Sequence, residues 1–213
     1  MDNENAPIEP SDEQTPSELA AIEFESPGRF AVHNPEPIMP DAARWEPAPF
    51  TLGEHDRLER FSQPKDARAH VLALIQQARR NLCLYSDDLE PWLYHHSSVQ
   101  QACTRFLLSS PRARLRILVR DPTRAVKEGH RLLTLSRRLS SNLSIRKLNP
   151  DYPGEELAYL IADDSGLLLR PELDQQAGYA LYADPARVRQ RQAQFDQAWD
   201  TSITDPDLRS FLL

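Results

Sequence analysis

From Lys65 onward the chain alternates amphipathic stretches with short apolar runs, and this alternation restricts the fold more than any other feature of the sequence. Residues 65–80 place Ala67, Val71, Leu74, Ile75 and Ala78 at helical spacing, and Arg79 and Arg80 suit the negative end of a helix dipole. Asn81–Ser86 follows directly as a buried strand, and residues 87–91 read as a loop. Ser97 or Ser98 is placed to cap a second helix that carries Val99, Ala102, Phe106 and Leu107 on one face. Residues 115–121 form the next strand, residues 123–139 a third helix and residues 143–148 a third strand. Such consecutive strand–helix–strand units imply a parallel portion of sheet.

The rhythm then changes. Residues 157–162 and 167–170 flank the turn residues Asp163-Asp164-Ser165-Gly166 and predict a hairpin. Residues 178–182 form a further strand. Asp184 caps the last helix with Pro185 in its first position, and Val188, Phe195, Ala198 and Trp199 line its inner side. The sum is an α/β domain with one mixed central sheet between helices.

Charge divides the chain of 213 residues at the start of this pattern. Residues 1–56 hold 13 acidic and 2 basic side chains and 9 of the 18 prolines. Low hydrophobicity with high net charge cannot offset the entropy of ordering, so 1–56 reads as a disordered acidic arm and 57–213 as the folded domain. Within the arm, residues 17–24 suit a nascent helix, and Phe30, Trp45 and Phe50 suit docking on the domain. Between Arg105 and Lys147, by contrast, twelve basic residues face only Asp121 and Glu128. An arginine-rich edge of this kind fits an anionic ligand or partner, because the guanidinium fork matches phosphate and carboxylate.

Several function classes drop out. The six glycines are too scattered for a phosphate-cradling loop, so no nucleotide or acetyl-CoA cofactor is expected. Two cysteines, Cys83 and Cys103, exclude a disulfide framework and read as small buried hydrophobes. His95 and His96 beside Asp87, Asp88 and Glu90 lack metal-site spacing. The basic stretch holds Phe106 as its one aromatic residue, which disfavours single-stranded nucleic acid. The polar, acidic start and the absence of a long apolar run point to a cytoplasmic chain without a membrane partner.

The order of elements, with a buried strand ending in an Asp-Asp turn and a closing helix ending in Phe-x-x-x-Trp, resembles one half of the phospholipase D superfamily fold over residues 60–202. The stretch ELAYLIADDSGLLLRP, Glu156 to Pro171, is the most specific part. Active members carry His-x-Lys-x-x-x-x-Asp there, followed by Gly-Ser-x-Asn. In this chain Glu156 stands at the histidine position, Ala158 at the lysine position and Asp163 at the aspartate, while Arg170-Pro171-Glu172-Leu173 replaces the later polar motif. More narrowly, residues 129–133, Ser140-Ser141 and residues 205–209 look like those of a family of proteobacterial proteins of this fold with no known activity, some of whose relatives accompany or are fused to a GNAT-type acetyltransferase domain.

The resemblance implies a degenerate phospholipase D-like domain. Attack on phosphorus needs an imidazole nucleophile and fixed positive charge, which an anion at Glu156 and a methyl at Ala158 do not supply. Asp163 reads as a turn-capping residue. The expectation is a non-catalytic binding module whose anion site uses Arg120, Arg124, Lys127, His130, Arg131 and Arg170, at the strand end where open α/β sheets bind ligands. Asp121 and Glu128 are placed to neutralise these residues, and His130 to cap its own helix. A protein partner, an acetyltransferase among them, and a homodimer follow from the same reading. The alternative is a phosphodiesterase- or nuclease-type enzyme with a rebuilt site of Glu156, Asp163 and His130, which requires the three side chains to converge.

Overall fold

The computed structural model describes residues 43–209. A seven-stranded mixed sheet carries helices on both faces. In chain order the elements are β1 (Glu59–Phe61), α1 (Pro64–Gln77), β2 (Asn81–Ser86), α2 (Pro91–Tyr94), α3 (Ser97–Ser109), β3 (Arg114–Val119), α4 (Thr123–Lys127), α5 (Arg131–Arg138), β4 (Leu143–Lys147), β5 (Ala158–Ala162), β6 (Gly166–Arg170), β7 (Gly178–Leu181), α6 (Pro185–Asp200) and α7 (Pro206–Arg209). The strand order is β1-β7-β6-β5-β2-β3-β4. β2, β3 and β4 are parallel, and every other pairing is antiparallel. The expected fold class is therefore the one observed. Among the described residues no helix is long and apolar enough to cross a membrane.

Alternation along the strands sorts side chains to two cores. Leu82, Leu84, Leu115, Ile117, Leu160 and Leu168 meet the inner sides of α1, α3 and α5. Cys83, Tyr85, Leu118, Tyr159, Ile161, Leu167 and Leu169 meet Val188, Phe195 and Ala198 of α6. α6 packs over β2, β5 and β6, and its flank toward β3 and β4 meets arginines instead: Arg116 lies over the Phe195 and Trp199 rings and Arg146 over Trp199.

The structure departs from the sequence reading in several places, the short helices α2 and α7 among them. The helix expected over 123–139 is two helices, because Gly129 turns the chain at φ 61°. The second helix is capped by His96, whose ring accepts from the Ser98 N–H at 3.2 Å, and not by a serine. α1 ends at Gln77, so Arg79 and Arg80 do not extend it. β1 was not expected; it closes the β7 edge in antiparallel register.

The packed surface begins before Arg57. The Ala48 N–H donates to the Ala69 carbonyl at 2.9 Å, and Gln77 clamps the segment by accepting from the Leu52 N–H and donating to the Phe50 carbonyl. Trp45 stacks on His96 at 4.0 Å, and Phe50 lies over His70, as expected for these two anchors. Residues 1–42, with the nascent helix at 17–24 and Phe30, lie outside the described residues.

Candidate functional site

At the C-terminal ends of β2 and β3, the loop that follows β2 supplies three carboxylates. Asp87 meets Arg120 at 3.5 Å, Asp88 meets Arg124 at 3.2 Å, and Glu90 pairs with Arg170. Arg124 also holds Glu128 at 3.0 Å. Half of the expected anion site is thus neutralised by a segment some 30 to 80 residues away in sequence. Asp121 does not take this part: it accepts from the Thr123 N–H and starts α4.

The loop is built at a cost. Leu89 and Glu90 hold consecutive left-handed conformations, φ 65° and 37°, each unfavourable by about 1–2 kcal/mol for a residue with a side chain. The Ser86 hydroxyl accepts from the Leu89 N–H, Asp88 accepts from the Glu90 N–H, and the Leu89 side chain is fully buried. These contacts aim Glu90 inward, where it is buried against Arg170.

Arg170 does not reach the surface edge where it was expected. Only 1% of it is exposed. Besides Glu90 it donates to the Leu173 carbonyl at 3.0 Å and the Gln175 carbonyl at 2.5 Å, and it lies over the Trp92 ring. Its strand partner is Ala158. The lysine position of the resembled motif therefore presents a methyl to a guanidinium already neutralised by Glu90.

The remaining residues are scattered. His130 is fully buried and caps α5, its Nδ1 accepting from the Leu132 N–H at 3.2 Å. Burial, with the His95 ring 4.9 Å away, lowers its pKa to about 3, so it is a neutral structural group. Arg131 donates to Gln100, and its N–H meets His95. Lys127 is exposed on α4, and Glu156 is exposed just ahead of β5. Asp163 lies beyond the other end of β5, about 20 Å from Glu156 at the rise of an extended strand. The rebuilt site of Glu156, Asp163 and His130 is therefore not assembled.

Asp163 has a different task. Its carboxylate accepts three backbone N–H groups, from Arg79 and Arg80 at 2.8 Å and Asn81 at 2.9 Å, and its own N–H donates to the Asn81 carbonyl. It fastens the β5–β6 turn to the corner between α1 and β2 and has φ 52°. Asp164 takes no part in that clamp.

Beside this clamp a groove of about 770 Å³ opens between the β5–β6 turn and α6. Arg79, Arg80, Arg116 and Arg189 line it, with Asp163, Asp164 and Asp196. Asp163 is committed to backbone, and Asp196 meets Arg116 at 2.8 Å. Arg79, Arg80 and Arg189 are exposed, and none of them forms an ion pair with a carboxylate side chain among the described residues. Sequence reasoning placed the basic edge at the opposite end of the sheet.

On the α6 face, at the β2 C-terminal end, a second cluster was also missed. Arg191 and Gln194 of α6 reach Glu155 at 2.5 and 3.2 Å, and Arg120 donates to the Glu155 carbonyl at 2.5 Å. Tyr85 and Tyr159 stack in parallel at 5.1 Å beneath them. The signal was the arginine run 187–191: on a helix these side chains diverge, so one of them can turn inward alone. Among the described residues no three His, Cys, Asp or Glu side chains gather as metal ligands.

A family model described as a domain of unknown function, DUF7931, matches residues 63–211. The chain belongs to the DUF7931 family. No curated protein matches it. Among solved structures, the DUF7931 domain is similar to NucT from Helicobacter pylori, with TM-score 0.54 and 12% identity over 70% of this chain and 99% of that one. It is also similar to TrmBL2, an archaeal chromatin protein, with TM-score 0.51 and 13% identity over 70% of this chain. This chain spans about half, 54%, of TrmBL2. Nuc from Salmonella typhimurium, a phospholipase D family member, aligns at TM-score 0.48 and 13% identity over 69% of this chain and 95% of that one. At these identities the likeness is one of fold alone, an α/β fold shared with NucT and TrmBL2.

Proposed function

We propose that the DUF7931 domain is a non-catalytic, phospholipase D-like binding module that recognises an anionic ligand or the acidic surface of a protein partner through an arginine-rich edge. One observation carries the first half of this reading. Ala158 stands across from Arg170, and Arg170 is buried and paired with Glu90, so the position that should hold a phosphodiester has no free cation. The exposed carboxylate of Glu156 would repel the same substrate. The two imidazoles at this end of the sheet are also committed to other bonds: His95 accepts from Arg131, and His130 accepts from Leu132.

The arginine groove beside Asp163 supports the second half. Its four arginines exceed its three carboxylates, and guanidinium forks suit phosphate or carboxylate. The test has two arms. Purified chain offered bis(p-nitrophenyl) phosphate, single-stranded DNA and phosphatidylcholine vesicles should show no turnover above buffer; robust turnover lost on Glu156→Ala overturns the non-catalytic reading. Retention on a heparin column should fall in Arg79→Glu/Arg80→Glu/Arg189→Glu and persist in Arg124→Glu/Lys127→Glu. The reverse order would return the binding edge to the α4 loop.

A further inference from the structure

The cluster around Glu155 is arranged as a site already holding an anion. Four donors converge there from three elements: Arg120 just beyond β3, Arg191 and Gln194 on α6, and the Tyr85 hydroxyl on β2. One carboxylate cannot satisfy them. Glu155 gives its two side-chain oxygens to Arg191 and Gln194, and Arg120 meets the Glu155 main-chain carbonyl through one end of its guanidinium and Asp87, at 3.5 Å, through the other. The Tyr85 hydroxyl is buried beside the Arg120 guanidinium and the Glu155 backbone, but it has no acceptor in hydrogen-bond geometry for its own proton. A buried donor left unpaired costs about 1–3 kcal/mol, so such atoms call for a missing partner. Burial raises the Tyr85 pKa, which keeps its hydroxyl a donor.

The cover over the cluster is removable. Residues 148–157 join β4 to β5 without helix or strand, and Gly154 passes directly over the site. A side-chain carbon at Gly154 would lie 3.6 Å from both the Arg120 guanidinium and the Tyr85 hydroxyl. Glu155 keeps 41% of its side chain in solvent, and Arg191 keeps 23%, so the pair is open on one side and its exchange needs no opening of the core. Beneath it, Arg191 lies over the Tyr159 ring, which fixes the guanidinium in place whether or not Glu155 is present.

We propose that Arg120, Arg191, Gln194 and Tyr85 form a seat for a phosphomonoester dianion, which Glu155 occupies in its place. A tetrahedral phosphoryl group offers three terminal oxygens, each able to accept more than one bond, and so meets all four donors where a carboxylate meets two. Binding expels Glu155 and lifts residues 149–157 from the α6 face. The seat lies at the opposite end of β2 from the arginine groove and does not depend on it.

The experiment is titration calorimetry of the whole chain with inorganic phosphate, against chloride at equal ionic strength. Phosphoserine and glycerol 3-phosphate serve as separate arms to distinguish free phosphate from a phosphorylated side chain or a lipid headgroup. Glu155→Ala should bind inorganic phosphate about tenfold more tightly than the unaltered chain, the equivalent of one competing charged hydrogen bond. Arg191→Met in that background should abolish the gain. Glu155→Gln, which keeps the shape of the cover, should fall between. In the unaltered chain, saturating phosphate should speed amide hydrogen exchange across residues 152–157. Equal affinity in Glu155→Ala and the unaltered chain, or phosphate binding untouched by Arg191→Met, overturns the proposal. Turnover, or loss of heparin retention, would leave all of these readouts in place, so the two readings fail separately.

Discussion

Asp163 provides the sharpest test of the claim that the motif's aspartate is architectural. Its carboxylate receives the Arg79, Arg80 and Asn81 N–H groups, two of them on one oxygen. These bonds are solvent-accessible, so water replaces them in part, and each is worth about 1 kcal/mol net. Asp163→Ala loses all three and keeps a residue with a side chain at φ 52°, a cost the native aspartate already bears. The total is about 3 kcal/mol. Asp163→Gly loses the same bonds and relieves the backbone, but returns about 0.4–1 kcal/mol through the looser unfolded chain, so it should lie about 1 kcal/mol above alanine. Asp163→Asn tolerates the left-handed region and keeps one acceptor oxygen for Arg80 and Asn81, so it should lose only about 1 kcal/mol. Urea denaturation at pH 7 should give the order Asp, Asn, Gly, Ala. For a domain of this size the alanine variant should melt about 10 °C lower. An alanine variant as stable as the unaltered chain would refute the clamp, and a glycine variant matching asparagine would refute the weight given to its bonds.

Two further outcomes follow from the buried charges. Glu90→Gln strands the Arg170 guanidinium in the interior and should cost about 3–5 kcal/mol, whereas Glu90→Leu/Arg170→Met should recover most of it; a denaturant double-mutant cycle with no coupling would contradict the pairing. His130 is held neutral to about pH 3, and burial lowers the His70 pKa as well. Between pH 6.5 and about 3 the unfolded chain therefore binds a proton at His130 that the folded chain does not, and stability falls on acidification by about 1.4 kcal/mol per pH unit across that window, with His70 adding to the fall in the same direction. His130→Asn, which retains a helix-capping oxygen, should flatten that limb of the urea midpoint against pH; a curve parallel to the unaltered chain would place the acid lability elsewhere.

What could be read from sequence depended on how far away each residue's partner lies. Strands β2 to β7 and helices α1, α3 and α6 announce themselves by apolar period and by caps such as Asp184, whose side chain does accept from Arg187. The three residues of β1 are too few to show a period. The apolar spacing of residues 132–139 hid the break before α5, although Gly129 marked it. The end of α1 was misplaced because Asp163, far along the chain, fixes that corner in place of a local cap.

The same limit governs the candidate site. Counting charges along residues 105–147 measures the chain before folding, whereas a ligand meets what is left after every carboxylate has found its partner. Asp87, Asp88 and Glu90 fold onto Arg120, Arg124 and Arg170, so three of the six basic residues expected to hold an anion are already paired within the domain. Arg79, Arg80 and Arg189 draw no attention as scattered residues, yet none of them is held in an ion pair with a carboxylate side chain among the described residues, so their guanidinium forks stay available. Of the three motif positions, Asp163 alone has partners that are main-chain amides. Its role requires only that the turn and the corner meet, whatever stands at Glu156 and Ala158 at the far end of the strand. In this chain the aspartate is therefore accounted for by the corner it fastens.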